Sequence, residues 1–261
     1  MVKIYNGDCI EVMDDLIMNN EKFTTIITSP PYNTARRSNS EYNLKAHSAR
    51  YDISVEERTS DEYADWVAEL FNKFDKLLEK DGCILWNVSY GSASTTSSEF
   101  ECINSLWYSI YAILHKTNFV IADKIVWKKK SALPNNVSPN KITRICEDVF
   151  VFCRKDDYKT FKTNKQVKSV SSKGQKFYEN IFNFIEAKNN DGSNSLNKAT
   201  YSTELVEKLM DIYCQEGSKI LDPFVGTGTT LNACLNKGFS GVGIELSKAQ
   251  CDYAKERLGL I

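Results

Sequence analysis

The residues that could do chemistry in this chain begin where a strand-like segment stops. The β-rich apolar run FTTIIT (residues 23–28) ends at Ser29-Pro30-Pro31-Tyr32. Two prolines fix φ and remove backbone donors, so this corner would hold a stiff carbonyl, a hydroxyl and an aromatic ring. Taken alone, Ser-Pro-Pro-Tyr is more typical of a proline-stiffened turn, and only a second feature would make it a site.

A glycine-rich turn far along the chain provides that second feature. KILDPFVGTGTTLNACL (219–235) places Gly226 and Gly228 between a predicted strand and a predicted helix. There the backbone can approach a ligand closely, and the first N–H groups of the helix can bind an anionic group. Glu245 ends the next predicted strand, where its carboxylate could accept hydrogen bonds from both hydroxyls of a ribose.

The details of this turn narrow the choice of ligand. Position 231 is Leu, so the third glycine of the dinucleotide fingerprint is missing, and no Gly-Lys-Ser/Thr of a phosphate loop is present. NAD and ATP are therefore disfavoured. A nucleoside without a pyrophosphate fits better, and S-adenosyl-L-methionine is the obvious candidate.

Alternating elements must position these two turns. Capping boxes are predicted at Thr59–Glu62 and at Ser247–Gln250, with the helix after Thr59 ending before Gly82. The predicted strands are 2–6, 23–28, 83–89, 118–129, 145–155, 219–222 and 239–246, and the predicted helices are 9–17, 59–81, 99–116, 202–215, 229–238 and 248–258. This alternation predicts an α/β fold with a doubly wound, mostly parallel sheet covered on both faces.

Charge is distributed unevenly in a chain whose net charge is only −1. Residues 154–176 hold eight Lys or Arg against Asp156 and Asp157, and Lys128, Lys129 and Lys130 come shortly before them. A solvated charged face is one interpretation. The clustering is also typical of a local phosphate-binding surface.

Composition indicates a folded intracellular protein. No run of about 18 apolar residues is present, and the N-terminal segment lacks the pattern of an export signal. The eight cysteines form no C-x-x-C pair, and there are only two histidines, so we expect reduced thiols, no metal site and a cytoplasmic protein.

The two turns together resemble the DNA amino-methyltransferases, which methylate exocyclic amines of adenine or cytosine. TSPPY (28–32) is similar to their catalytic motif, DPFVGTGTT (222–230) to their cofactor motif, and GVGIEL (241–246) to the acidic element that follows it. IYNGDCIEVM (4–13) resembles their N-terminal Gly-Asp element. The catalytic motif precedes the cofactor motif, an order that resembles the circularly permuted beta group.

This resemblance implies an organisation and a set of residues. It implies a catalytic half at 1–155, an inserted target-recognition region at 156–196 and a cofactor-binding half at 197–261. Ser29, Pro30, Pro31 and Tyr32 would be catalytic, and S-adenosyl-L-methionine would be bound by Asp8, Cys9, Thr28, Lys198, Asp222, Phe224, Gly226, Gly228, Thr229 and Glu245. Double-stranded DNA would be contacted by Arg36, Arg37, Lys128, Lys129, Lys130, Lys165, Lys168 and Lys173.

The resemblance leaves substrate and partners open. Ser-Pro-Pro-Tyr is commoner among enzymes that methylate cytosine N4, whereas Asn33 completes a Pro-Pro-Tyr-Asn frequent among enzymes that methylate adenine N6. We predict cytosine N4, with adenine N6 as the alternative. A protein-glutamine methyltransferase is disfavoured by the motif order, and a non-catalytic nucleic-acid-binding module by the intact motifs. The resemblance allows a cognate restriction endonuclease as a partner and leaves its existence open, and the chain would be a monomer or a homodimer.

Overall fold

The chain folds around one large sheet. The computed structural model describes residues 1–33, 58–89, 105–132, 134, 136, 139, 142–192, 196–197 and 200–261. The strands are β1 Val2–Asn6, β2 Phe23–Thr28, β3 Leu78–Val88, β4 Phe119–Lys129, β5 Cys146–Arg154, β6 Val167–Val170, β7 Lys176–Tyr178, β8 Phe184–Ala187, β9 Lys219–Asp222 and β10 Ser240–Glu245. The helices are α1 Cys9–Met18, α2 Ser60–Leu77, α3 Ser105–Lys116, α4 Thr203–Tyr213, α5 Thr229–Lys237 and α6 Lys248–Arg257.

The large sheet has eight strands in the order β1-β10-β9-β2-β3-β5-β4-β8. Among the described strands, pairing is parallel from β1 through to β3 and again between β4 and β8, whereas β5 runs antiparallel to its two neighbours. The prediction of a mostly parallel α/β sheet is therefore confirmed.

Apolar side chains cover both faces of this sheet. One core cluster packs α4, α5 and α6 against one face, with Leu209 and Cys251 among its buried members. The other packs α1, α2 and α3 against the opposite face, around Phe71 and Trp86. Neighbouring residues Ile26 and Ile27 of β2 belong to different clusters, as a strand covered on both faces requires.

Helix α2 begins as predicted but ends earlier. Thr59 N donates to Glu62 Oε2 at 2.7 Å, and Glu62 N donates to Thr59 Oγ1 at 3.2 Å, which confirms the capping box. The predicted end at Gly82 is wrong, because Leu78 already pairs with β2 and begins β3. Gly82 instead lies where a Cβ would come within 2.8 Å of the Thr24 carbonyl oxygen.

The polar region after β5 forms a separate hairpin and then returns to the large sheet. Strands β6 and β7 pair antiparallel and form a two-stranded sheet of their own. Strand β8 pairs parallel with β4 and is the edge strand of the large sheet. The region predicted as an insert thus contributes one strand to the main fold.

None of the helices in the described part of the chain has the length and apolar character of a membrane span. In the same ranges no group of three or more His, Cys, Asp or Glu side chains is arranged to hold a metal ion.

Candidate active site

The carboxyl ends of four neighbouring parallel strands lie at one cavity. The loops after β1, β10, β9 and β2 all contribute to its lining, because parallel strands end at the same edge of a sheet. The cavity encloses about 1030 Å³, part of it open to solvent. The lining includes Gly7, Asp8, Cys9, Ser29, Pro30, Pro31, Arg58, Trp66, Asn197, Thr200, Tyr201, Phe224, Gly226, Thr229, Glu245 and Gln250.

The two predicted motif turns are tied together at the end of their strands. β2 and β9 pair directly, and the buried Thr28 Oγ1 donates to Asp222 Oδ1 at 2.6 Å. The second oxygen of Asp222 accepts from Tyr201 at 3.1 Å and from Thr230 Oγ1 at 2.5 Å. Burial raises the pKa of Asp222, and these hydrogen bonds oppose that shift. Thr28 and Asp222 therefore lie below the cavity, outside its lining, and hold its floor together.

The Ser-Pro-Pro-Tyr loop is fixed by side-chain hydrogen bonds. Ser29 Oγ lies 2.6 Å from the Tyr32 hydroxyl, and the Tyr63 hydroxyl of α2 donates to the Pro31 carbonyl at 2.8 Å. No hydrogen bond among the described residues uses the Pro30 carbonyl. Ser29 and both prolines line the cavity, whereas Tyr32 lies beside it and packs against the core cluster around Phe71.

Behind Tyr32 lies a buried polar group that sequence analysis missed. Asn87 Nδ2, at the end of β3, donates to the Tyr32 hydroxyl at 2.9 Å and to Glu147 Oε2 at 3.0 Å. Lys129 Nζ lies 2.5 Å from Glu147 Oε1. Only the position of Asn87 at a strand end could have indicated it, because Glu147 and Lys129 come from two other strands.

The glycine-rich turn is held by backbone conformation and by one carboxylate. Gly226 has φ 54° and donates its N–H to Glu245 Oε2 at 2.9 Å, while Ser247 N donates to Glu245 Oε1 at 2.8 Å. Glu245 therefore joins β10 to the turn after β9 and still faces the cavity.

Gly228 has a packing role distinct from that of Gly226. Its φ is 89°, and a Cβ there would come within 3.2 Å of Ala254 and Leu258. It therefore allows α5 to approach α6 and does not line the cavity, although we predicted both glycines to contact a ligand. Thr229, the first residue of α5, does line it.

The Gly-Asp element after β1 caps a helix at the cavity wall. Asp8 Oδ1 accepts from Ile10 N at 2.8 Å and is the N-cap of α1. Cys9 is buried beside it, and burial together with the Asp8 carboxylate raises the pKa of this thiol to about 12. The thiol is thus uncharged near neutral pH and serves as an apolar lining group.

Arg58 is a cavity residue that sequence analysis missed. Its guanidinium carbon lies 4.8 Å from the centroid of the Trp66 ring, and both side chains line the cavity. Its backbone is held by Asn33, whose Nδ2 donates to the Arg58 carbonyl at 2.8 Å and whose Oδ1 accepts from Arg58 N at 3.1 Å. The only sequence signal was its place just before the Thr59 cap.

A buried amide pair closes the cavity on the side of α6. Asn197 Nδ2 donates to Gln250 Oε1 at 2.9 Å, and both residues are at most 9% exposed. Ser247 accepts from Gln250 N at 3.4 Å, so Ser247 caps α6 as predicted. In a full capping box the Gln250 side chain would accept from the Ser247 backbone N–H. Here it accepts from Asn197 instead, and Ser247 N donates to Glu245.

The predicted DNA-contacting lysines fall into two groups. Lys128, Lys129 and Lys130 pair with Glu186, Glu147 and Glu204 respectively, so their charges are offset within the chain. Lys165, Lys168 and Lys173 lie exposed on or near the β6–β7 hairpin and make no ion pair with another described residue. Arg36, Arg37 and Lys198 lie outside the described residues.

Comparison with known proteins gives one family and one fold. The family model for the DNA methylases, N6_N4_Mtase, matches residues 23–256. The type II methyltransferase M.SmaI of Serratia marcescens is 26% identical over 98% of this chain and 90% of its own length.

Two solved structures show the same fold. The cytosine-N4-specific PvuII DNA methyltransferase has a TM-score of 0.70 at 15% identity, covering 98% of this chain and 86% of that one. The complex of M1.HpyAVI with SAM has a TM-score of 0.61 at 22% identity, covering 98% of both chains.

Proposed function

We propose that this chain, which belongs to the DNA methylase family, methylates the exocyclic N4 amine of cytosine in double-stranded DNA. It is a DNA amino-methyltransferase, and S-adenosyl-L-methionine is its methyl donor. One observation carries the proposal for the site: the catalytic-motif and cofactor-motif loops follow two directly paired parallel strands and open into one cavity.

The cavity residues fit this cofactor. Glu245 faces the cavity as an acceptor for ribose hydroxyls, and Asp8 could accept from the adenine amine. The first turn of α5 has glycine as its N-cap and no capping side chain, so its N–H groups suit a carboxylate. Arg58 adds a cation at the same cavity. When bound, the cofactor supplies an electrophilic methyl group.

The Ser-Pro-Pro-Tyr loop supplies hydrogen-bond acceptors for the exocyclic amine of the target base. An exocyclic amine is a poor nucleophile because its lone pair is delocalised into the base. The Pro30 carbonyl and Ser29 hydroxyl can accept the two amine hydrogens and favour a pyramidal nitrogen aimed at the cavity. The nitrogen becomes strongly acidic once methylated and loses its proton to solvent water, so a dedicated strong base is unnecessary and positioning carries most of the rate.

The target base must leave the helix to reach this loop. We assign Tyr32 as the surface on which it stacks, an interaction worth about 1–3 kcal/mol per base. The hydroxyl of Tyr32 is engaged by Ser29 and Asn87, which fixes the ring beside the cavity. A fixed ring loses little conformational freedom when a base packs on it.

The hairpin is the best candidate for the DNA surface outside the cavity. Lys165, Lys168 and Lys173 can contact phosphates, which gives affinity and salt dependence without sequence information. Phe177 and Tyr178 are about half exposed on the same hairpin. We therefore place target recognition mainly at β6 and β7 within residues 156–196, and assign Lys128–Lys130 a smaller part because of their acidic partners.

The choice of cytosine rests on Ser29. Asn33 was the observation favouring adenine, but its side chain binds the backbone of Arg58, so its identity has a structural explanation here. Ser-Pro-Pro-Tyr, commoner among cytosine-N4 enzymes, then stands as the indication of the base. Adenine N6 is the second candidate because a hydroxyl can accept from either amine.

Product analysis tests the proposal. DNA from cells that express the protein would be digested to nucleosides and analysed by mass, with cells expressing Ser29→Ala as the control. We expect N4-methylcytosine in the first sample only. N6-methyladenine would overturn the choice of base, and no modified base would contradict DNA methylation by this chain. Sequencing the methylated sites of the same DNA would give the recognition sequence and indicate which endonuclease to seek as partner.

A further inference from the structure

A row of hydrogen-bonded side chains runs from strands β4 and β5 to the Ser29 hydroxyl. It begins at Lys129 and Glu147, whose charged atoms are 2.5 Å apart. Asn87 Nδ2 bridges Glu147 Oε2 at 3.0 Å and the Tyr32 hydroxyl at 2.9 Å. The Tyr32 hydroxyl lies 2.6 Å from Ser29 Oγ, at the wall of the cavity.

The middle of this row is buried, which makes its pairing necessary. Glu147 is 7% exposed and Asn87 is 4% exposed. A buried carboxylate is costly unless its oxygens are paired, and here Lys129 takes one oxygen and Asn87 the other. Because Glu147 is buried, the positive charge of Lys129 is already neutralised by an ion pair within the fold.

The carboxylate also sets the orientation of the Asn87 amide. A carboxylate only accepts hydrogen bonds, so Asn87 must turn its NH₂ group toward Glu147. The other amide atom, Oδ1, is buried without a hydrogen-bond partner among the described residues. Such an atom is costly, so the amide keeps this orientation only because Glu147 enforces it.

We propose that Lys129, Glu147 and Asn87 are positioning residues that set the direction of the Tyr32–Ser29 hydrogen bond. The N–H of Asn87 occupies one acceptor site of the Tyr32 oxygen, which favours donation of the phenol hydrogen to Ser29 Oγ over acceptance from it. Ser29 then turns its remaining lone pair and its own hydrogen toward the cavity. This inference rests on the proposed function, since Ser29 matters only if an amine is held there.

Removing the charge of Lys129 is the first test. Lys129→Met leaves Glu147 without its counterion and loosens the orientation of Asn87. In single-turnover assays with saturating DNA and cofactor, we expect the rate of methyl transfer to fall about tenfold, while KM for DNA and Kd for the cofactor change less than about twofold. Lys129→Arg should restore most of the rate, because it keeps the charge beside Glu147.

The matched control is Lys124→Met. Lys124 and Asp148 form an ion pair at 2.9 Å between the same two strands, but Asp148 follows Glu147 directly and so faces the other side of the sheet. We expect its loss to leave the rate unchanged. Glu147→Gln is the second variant: the neutral amide keeps the volume but no longer dictates which group of Asn87 it meets, so the rate should fall while the protein stays folded.

A readout without turnover separates the inference from the proposed function. In protein labelled with ¹³C-tyrosine, the Cζ resonance of Tyr32, assigned with Tyr32→Phe, should shift in Lys129→Met and Glu147→Gln but not in Lys124→Met. If wild-type protein does not methylate DNA while this resonance responds, the proposed function fails and the positioning row stands. If the resonance does not shift in Lys129→Met and Glu147→Gln, the proposed positioning role of Lys129, Glu147 and Asn87 is overturned.

Lys129 as a phosphate contact is the competing outcome. In that case Lys129→Met would raise KM for DNA and lower the salt slope of binding by about one, with the single-turnover rate unchanged. That result overturns the positioning role. Equal losses of rate in Lys129→Met and Lys124→Met would also overturn it, since both would then report the stability of β4 and β5.

Discussion

The loops after β2 and β9 lie side by side at the same edge of the sheet but are built in opposite ways. The first, Ser29–Tyr32, has two prolines and is fixed by side chains, with Tyr63 bound to the Pro31 carbonyl and Tyr32 to Ser29. The second turns through Gly226 with a positive φ and is fixed through its backbone N–H by Glu245.

This difference matches two different tasks. A loop that must aim a carbonyl and a hydroxyl at one nitrogen needs side chains and rings that hold it still. A loop that must admit a ligand against its own backbone needs the absence of a side chain. The two loops should therefore fail differently: variants in the first should lower the rate, and variants in the second should weaken cofactor binding.

Ser29→Ala should have the largest effect. Losing one positioned hydrogen-bonding group beside the reacting atom is expected to lower kcat by about 10²–10³-fold. Cofactor affinity, measured by calorimetry, should change less than about threefold, because the loop after β9 is untouched. Ser240→Ala is the control. It removes the same hydroxyl at the first residue of β10, away from the cavity, and should leave kcat unchanged. If Ser29→Ala weakened the cofactor as much as the rate, the two loops would not have separate tasks.

Gly226→Ala should show the opposite pattern at smaller size. A side chain at φ 54° costs about 1–2 kcal/mol, and its Cβ would come within 3.2 Å of Asn197 Nδ2. We expect Kd for the cofactor to rise about tenfold. Gly238→Ala is the control: it has φ 73° at the far end of α5, and its Cβ would meet no described residue within 4 Å. This variant should lower the free energy of unfolding without changing Kd for the cofactor. If Kd rose for both variants, the effect of Gly226→Ala would be due to backbone strain around α5 and not to the cofactor site.

Tyr63→Phe should have the smallest effect, on the first loop alone. The ring stays buried, but the hydrogen bond to the Pro31 carbonyl is lost, which should lower the free energy of unfolding by about 1 kcal/mol. Urea denaturation measures this, with Tyr111→Phe on the exposed side of α3 as control. We also expect kcat to fall a few-fold with an unchanged cofactor Kd. A change in Kd without a change in kcat would contradict the assignment of Tyr63 to the catalytic loop.

The elements around both loops could be predicted because their signals are local. The prolines after β2, the glycines after β9 and the Thr59 capping box all act within a few residues of their own position. A parallel sheet also requires both loops to lie at the same edge, because the carboxyl ends of parallel strands meet there. The end of α2 was missed because the pairing of Leu78 with Phe23 outweighed the helical spacing of residues 60–81.

The rest of the site depends on contacts between distant strands, which a single sequence does not reveal. Lys129 reads as one of three adjacent surface lysines until β5 brings Glu147 beside it. The sequence around Asn87 is typical of a strand and does not indicate the hydrogen bond to Tyr32. Arg58 enters the cavity only through its contacts with Asn33 and Trp66.

The hydrogen bonds between Asn33 and Arg58 have a consequence for how this chain can vary. Both bonds join the Asn33 side chain to backbone atoms of Arg58, one as donor and the other as acceptor. An amide can do both, whereas the carboxylate of Asp only accepts hydrogen bonds. Position 33 is therefore restricted to a side chain that both donates and accepts, because the backbone that carries Arg58 at the cavity depends on it.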